Sequence, residues 1–220
     1  MATLGTRSLI AATAVCVLLA GGAVQAQAQK ITGDVVRLDT GSLQVKANDG
    51  QVVVVTFSDK TRLSARAPAT LAQIAAGVYL GTTAVPQPDG TLVASEVHIF
   101  AEAMRGSGEG HRPMDTPGNT MTNATVSQIA PDAKPRNTMT NATVAGVAGS
   151  TAARRLTLTY PGGEKVVVVP PDVPIVMVEP ADRALLTPGA HVIVYASRLA
   201  DGSLHAERVT VGKDGFTPPM

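Results

Sequence analysis

The sequence predicts an all-β protein made of two tandem, small OB-like β-barrels, each with five or so strands and one short helix. Three observations lead there. The chain contains an internal repeat, a feature sought first because it sets the architecture. Short apolar runs alternate with Asp-Gly and Thr-Gly turns, the signature of strands and hairpins. Aromatic residues make up only 3% of 220 residues, so the core is aliphatic.

In chain order, residues 1–28 read first as a signal peptide. Arg7 is the only charge ahead of an apolar run from Leu9 to Val24, which is shorter than the roughly 20 residues of a comfortable span. The small residues Ala26 and Ala28 mark a cleavage site after Ala28. Cys16 lies inside the apolar run, where a lipidation box would normally close it. Removal of the leader takes away the only cysteine and one of 18 bases, leaving 17 against 17 acids. A cysteine-free chain excludes thiol catalysis and thiolate metal sites, and suits an oxidising compartment without using disulfides. A neutral chain is a poor partner for nucleic acid, whose affinity comes largely from phosphate neutralisation. No later segment is long and apolar enough to be an integral membrane span. The expected location is the periplasm.

The first copy occupies residues 29–101. Strands are expected at Ile31–Asp39, Ser42–Ala47 and Gln51–Phe57, turned by Thr40-Gly41 and Asn48-Asp49-Gly50. A short helical turn follows at Ala69–Ala76, ended by Gly77. Val78–Val85 and Thr91–Phe100 then pair across Asp89-Gly90. The second copy, 137–213, repeats this near Ala142–Val147, Arg155–Tyr160, Glu164–Val169, Ala190–Arg198 and Ser203–Val211. Gly77 and Gly189, Asp89 and Asp201, Leu92 and Leu204, Val97 and Val209 each lie 112 apart, while Asp49-Gly50 and Gly162-Gly163 lie 113 apart. One indel reconciles them. Between the copies, 102–136 is a Gly/Pro/Thr-rich connection holding the octamer NTMTNATV at 119–126. The octamer recurs at 137–144, where it leads into the second copy. Residues 214–220 form a tail.

Two finer features are legible. In each last strand a strict period of 2 would send Leu92 and Ala94 to one face and Val97 and Ile99 to the other, and likewise Leu204 and Ala206 against Val209 and Val211. A bulge near Ser95-Glu96 and Glu207-Arg208 would turn all four inward. The runs Val52–Val55 and Val166–Val169 suit strands covered on both faces.

The stretches ITGDVVRLDTGSLQVKANDGQVVVVTFSD and PDGTLVASEVHI resemble the small bacterial β domain DUF5666, well over 30–100 and more loosely over 139–212. These motifs are turn and core positions, so the resemblance implies a fold and transfers no functional residues. The whole chain also resembles exported proteobacterial proteins that share EAMRGxGEGHRP and often carry the label metal ABC transporter permease, a label at odds with the lack of spanning segments.

Candidate chemistry concentrates in the connection. His111 lies beside Glu109, Arg112 and Asp115, with Glu102 and Arg105 a few residues earlier. Imidazole and carboxylates suit a divalent cation, so His111, Glu109 and Asp115 are candidate metal ligands. Glu102, Arg105, Glu109, His111 and Arg112 can equally form a partner or ligand loop, bind an anion, or pin the segment to a barrel. Gly106-Ser107-Gly108-Glu109-Gly110 lacks the Lys-Ser/Thr of a phosphate loop. His98, His191 and His205 fall at non-equivalent positions of the two copies and read as exposed strand residues. No nucleophile–base pair and no carboxylate pair stands out, and no cofactor is implied. The expected function is non-catalytic binding in the bacterial envelope, to another envelope protein or a small ligand. A metal-binding accessory protein is the first rival and an enzyme of unknown class the second.

Overall fold

A computed structural model describes residues 29–114, 116–132 and 153–219. The strands are β1 (Gln29–Leu38), β2 (Ser42–Ala47), β3 (Val52–Thr56), β4 (Arg62–Pro68), β5 (Tyr79–Pro86), β6 (Leu92–Phe100), β7 (Gly110–Pro113), β8 (Thr120–Pro131), β9 (Arg154–Tyr160), β10 (Gly163–Val169), β11 (Ile175–Pro180), β12 (His191–Arg198) and β13 (Leu204–Gly212). All belong to one 13-stranded sheet. The all-β expectation holds. The helical element of the first copy is a single 3-10 turn, Leu71–Gln73, closed by reciprocal contacts between Thr70 and Gln73.

The sheet closes on itself twice. Ring 1 runs β12-β1-β2-β3-β13 and back to β12, and ring 2 runs β5-β8-β9-β10-β6 and back to β5. Ring closure crosses the repeat. The sequence division into 29–101 and 137–213 follows the duplicated blocks, whereas ring 1 joins β1–β3 of the first block to β12–β13 of the second. Ring 2 makes the reciprocal exchange. The cause lies in β4 and β11, which carry the chain from one ring to the other. At about 3.3 Å per residue, seven residues of β4 span roughly 23 Å. β4 lies parallel to β13 and β11 parallel to β6, and the two pair antiparallel at the centre. There Val176 faces Pro68 and Pro180 faces Ser64. A shift of 112 residues converts each of these pairs into the other, so the ladder is its own image about a pseudo-two-fold axis.

The hidden strands explain the departures. β4 reads Arg-Leu-Ser-Ala-Arg-Ala-Pro, poor in β-branched residues, and was absent from the sequence expectation together with β7 and β11. The first octamer, 119–126, supplies β8, so the expected connection 102–136 includes a ring strand. The second octamer and the expected strand Ala142–Val147 lie outside the described residues.

Each ring encloses its own core, and each core draws on both copies. Ring 1 packs Val35, Leu43, Val45 and Val55 against Val194, Ala206 and Val209. Ring 2 packs Leu80, Val97 and Ile99 against Val126, Leu156, Leu158 and Val167. The two bulges fall where the pattern placed them: the ladders skip at Ser95, between Ala94 and Glu96, and at Glu207, between Ala206 and Arg208. Leu92, Ala94, Val97 and Ile99 thereby share one core, as do Leu204, Ala206, Val209 and Val211. The valine runs behave differently from each other. Val167, Val168 and Val169 are buried, but Val52 and Val54 are 56% and 52% exposed. β3 turns only Val53 and Val55 inward and leaves Val52 and Val54 on its exposed face.

Candidate functional site

The segment after β6 is seated on the outer face of ring 2. A 3-10 turn over Glu102–Met104 places Glu102 three residues from Arg105, whose Nε and NH2 bind its two carboxylate oxygens at 2.5 and 2.7 Å. The same guanidinium donates to Thr125 Oγ1 at 3.1 Å and to the Gly77 carbonyl at 3.0 Å, and lies 5.7 Å from the Tyr79 ring centroid. The Arg105 hydrogen bonds hold Glu102 below the ordinary carboxylate range and raise Arg105 in turn. Beyond it, the Ser107 carbonyl accepts from Tyr79 Oη at 3.2 Å and from Asn123 Nδ2 at 3.0 Å. Arg112 donates to the Gly108 carbonyl at 2.7 Å. Gly81 is required beneath this cover, because a Cβ there would press on Asn123 Oδ1 and the Phe100 ring.

These contacts account for most of the candidate residues. Glu102 and Arg105 bind each other, Arg112 binds its own loop, and Glu109 stands exposed with its charge acting on Tyr79. Asp115 lies outside the described residues. Among the described residues no three His, Cys, Asp or Glu side chains converge as a metal site.

His111 is placed differently. β7 runs along β8 on the edge opposite β5, in line with β9, and pairs His111 with Thr122. His111 Nδ1 lies 2.8 Å from Thr122 Oγ1. Burial first, and the charge of Lys165 second, push the imidazole below its ordinary value. Lys165 is half-buried and sits opposite Leu158, hence on the inward face of β10 with Val167. Thr122 in turn faces Thr82 across the β5–β8 ladder. Both threonines are fully buried, and Thr82 Oγ1 has no hydrogen-bond partner among the described residues.

Ring 1 is the internal control for this mouth. Ile31 faces Val194 where Thr122 faces Thr82, and Val45 faces Val53 where Leu158 faces Lys165. Ring 1 is apolar at all three positions that are polar in ring 2. It also has no strand, among the described residues, where β7 lies in ring 2. Sequence reasoning singled out His111 but gave it the neighbours nearest in sequence. Thr82, Thr122 and Lys165 were missed, although aligning the copies strand by strand would expose each as a polar residue in an apolar slot.

The strand histidines depart from the expectation of exposure. His98 is 8% exposed, with Nε2 2.6 Å from Glu96 Oε1. Arg66, with its side chain 17% exposed, approaches the same oxygen at 3.5 Å and donates to the Pro219 carbonyl at 2.7 Å. β11 pairs with β6 along Val97–Phe100, and Arg66 of β4, itself bound to the Pro219 carbonyl, reaches Glu96 on the outer face of β6. His191 pairs with Asp34 through Nδ1, and His205 Nδ1 lies 3.1 Å from Thr56 Oγ1. Both are half-buried.

The described molecule is therefore an all-β protein whose two rings share a frame and differ at one mouth. Residues 32–98 match the family model described as a domain of unknown function (DUF5666). That stretch runs from β1 to β6, so the family's sequence unit contributes strands to both rings. No curated protein and no solved structure matches the chain. No helix among the described residues is long and apolar enough to cross a membrane.

Proposed function

We propose that the protein is a non-catalytic binding module of the bacterial envelope, exported by residues 1–28 and built from two OB-like barrels that exchange strands between the copies, which holds a small ligand at the mouth of ring 2. One observation carries the reading: His111, Thr122, Thr82 and Lys165 converge there, while the equivalent slots of ring 1 are aliphatic. Stability alone does not favour that difference. A buried hydroxyl without a partner costs about 1–3 kcal/mol relative to a paired one. The EAMRGSGEGHRP segment serves in two parts. Its first half clamps ring 2 from outside, and its second half, β7, brings His111 to the mouth. A role in metal handling gains no support from the neighbours of His111, since Lys165 repels cations.

A thermal-melt screen of the purified protein against divalent metals and simple anions tests the reading. A ligand at a hundredfold excess over Kd stabilises the folded state by about 2.7 kcal/mol, several degrees in melting temperature. A shift that disappears in His111→Ala is the expected outcome. A flat screen would remove the small-ligand reading. For export, N-terminal sequencing of protein from a periplasmic extract should begin at Gln29, and an intact Met1 or Ala2 start would count against a cleaved leader.

A further inference from the structure

We propose, building on that binding reading, that the ligand of ring 2 is a small oxyanion, a carboxylate or a phosphate, bound once per chain. The groups at the mouth are donors. Lys165 supplies a fixed positive charge on the inward face of β10. In the tautomer where the Thr122 hydroxyl donates to His111 Nδ1, Nε2 carries the ring proton and is turned away from that bond as a donor. The Thr82 hydroxyl, fully buried and without a partner among the described residues, is a third donor beside Thr122. Among the described residues, Lys165 is the one charge that acts on His111, and the charge of Glu109 acts instead on Tyr79. Hydrogen bonds in which one partner is ionised are about twice as strong as neutral ones. An anion would satisfy the Thr82 hydroxyl and neutralise the half-buried ammonium together. Neither need exists in ring 1, where Val194 and Val53 occupy those places.

The three features that build this mouth are separate in sequence and coincide in space. Thr82 lies on β5, Thr122 on β8 and Lys165 on β10, while β7 is an added strand with no counterpart beside β1 among the described residues. Three substitutions and an added strand that meet at one end of one ring are what a ligand site requires, and packing alone calls for none of them.

Calorimetric or NMR titration of the purified protein with inorganic phosphate and, separately, acetate tests this. Saturable binding at one equivalent per chain is expected for one of the two probes, and which one responds tells phosphate from carboxylate recognition. Lys165→Met keeps the apolar stem and should weaken binding at least about tenfold, the usual loss for a charged hydrogen bond. Thr82→Val has the same shape without the hydroxyl, and should weaken binding while raising the melting temperature. Unchanged affinity in both variants, or no saturable response to either anion, would overturn the proposal. A protein that ignores both anions yet is stabilised by a divalent metal, with the effect lost in His111→Ala, would overturn the anion while leaving a binding module. If Lys165→Met does not fold, Thr82→Val alone decides.

Discussion

At the scale of single residues, His111 and Glu96 show how neighbours govern charge in this molecule. His111 has a folded pKa below its ordinary 6.5 because burial and Lys165 both oppose the proton. The unfolded chain therefore takes up the proton first as pH falls. Stability should be steady above about pH 6.5 and decline below it, levelling once the folded imidazole is also charged. Melting curves from pH 8 to pH 5 in anion-poor buffer should show this decline, and His111→Asn should flatten it. Glu96 is a buried carboxylate shared by His98 and Arg66. Glu96→Ala removes the buried carboxylate that His98 and Arg66 share, leaving Arg66 only its bond to the Pro219 carbonyl, and should cost about 3–5 kcal/mol in a urea titration. A loss under about 1 kcal/mol would mean that the cluster is solvated. Close approach is equally exacting at Gly33, where a Cβ would collide with the Lys46 carbonyl of the neighbouring strand. Gly33→Ala is expected to cost about 1–3 kcal/mol through a forced backbone shift. The sequence carried the outward direction of His98 correctly through the alternation of Val97 and Ile99. It could not carry the burial, because β11, which pairs with β6 at His98, and Arg66, which reaches Glu96, are brought there by the fold and not by sequence neighbourhood.

At the scale of elements, the legible features were those whose signal is local. The turns at Asn48-Asp49-Gly50 and Asp89-Gly90 have glycines at positive φ, Gly50 at 86° and Gly90 at 80°. The bulges at Ser95 and Glu207 followed from four apolar residues that a strict alternation would have split. β4 escaped because Arg62-Leu-Ser-Ala-Arg carries no β-branched residue and only one large apolar side chain. Its place is fixed by ladders to β13 and β11, each more than 100 residues away in sequence. The octamers pose a different problem. Their sequences are identical, so Thr122, Asn123, Ala124 and Val126 have equals at Thr140, Asn141, Ala142 and Val144, and composition cannot choose which copy makes the strand. The structure seats the first, whose continuation sets Ile129 opposite Leu156. The candidate site was half legible for a related reason. A histidine in a polar loop draws notice, whereas a threonine in a strand does not until its counterpart in the other copy is seen to be valine.

At the scale of the whole molecule, duplication and closure follow different boundaries. Ring 1 takes β12 and β13 from the second copy, and ring 2 takes β5 and β6 from the first. The stretch up to residue 132 and the stretch from residue 153 are consequently interlocked through six ladders, β1–β12, β3–β13, β4–β13, β6–β10, β6–β11 and β8–β9, besides the central pair of β4 and β11. A protease site engineered between residues 133 and 152 should cut the chain without separating it. The fragments should co-elute on gel filtration and melt as one species. Fragments that part in native buffer would show that the ladders crossing the halves contribute little.

The same pairing sets a timetable for assembly. Every strand of ring 2 has been made once residue 169 is reached, but β1, β2 and β3, the first strands synthesised, have no complete ring until β12 and β13 follow, ending at residue 212. Contacts of such long separation form late, after the entropy of closing a loop of more than 150 residues has been overcome. For most of its synthesis the chain therefore carries an N-terminal end with open strand edges. The final segment supplies β13, which completes ring 1, and lays its tail on Arg66.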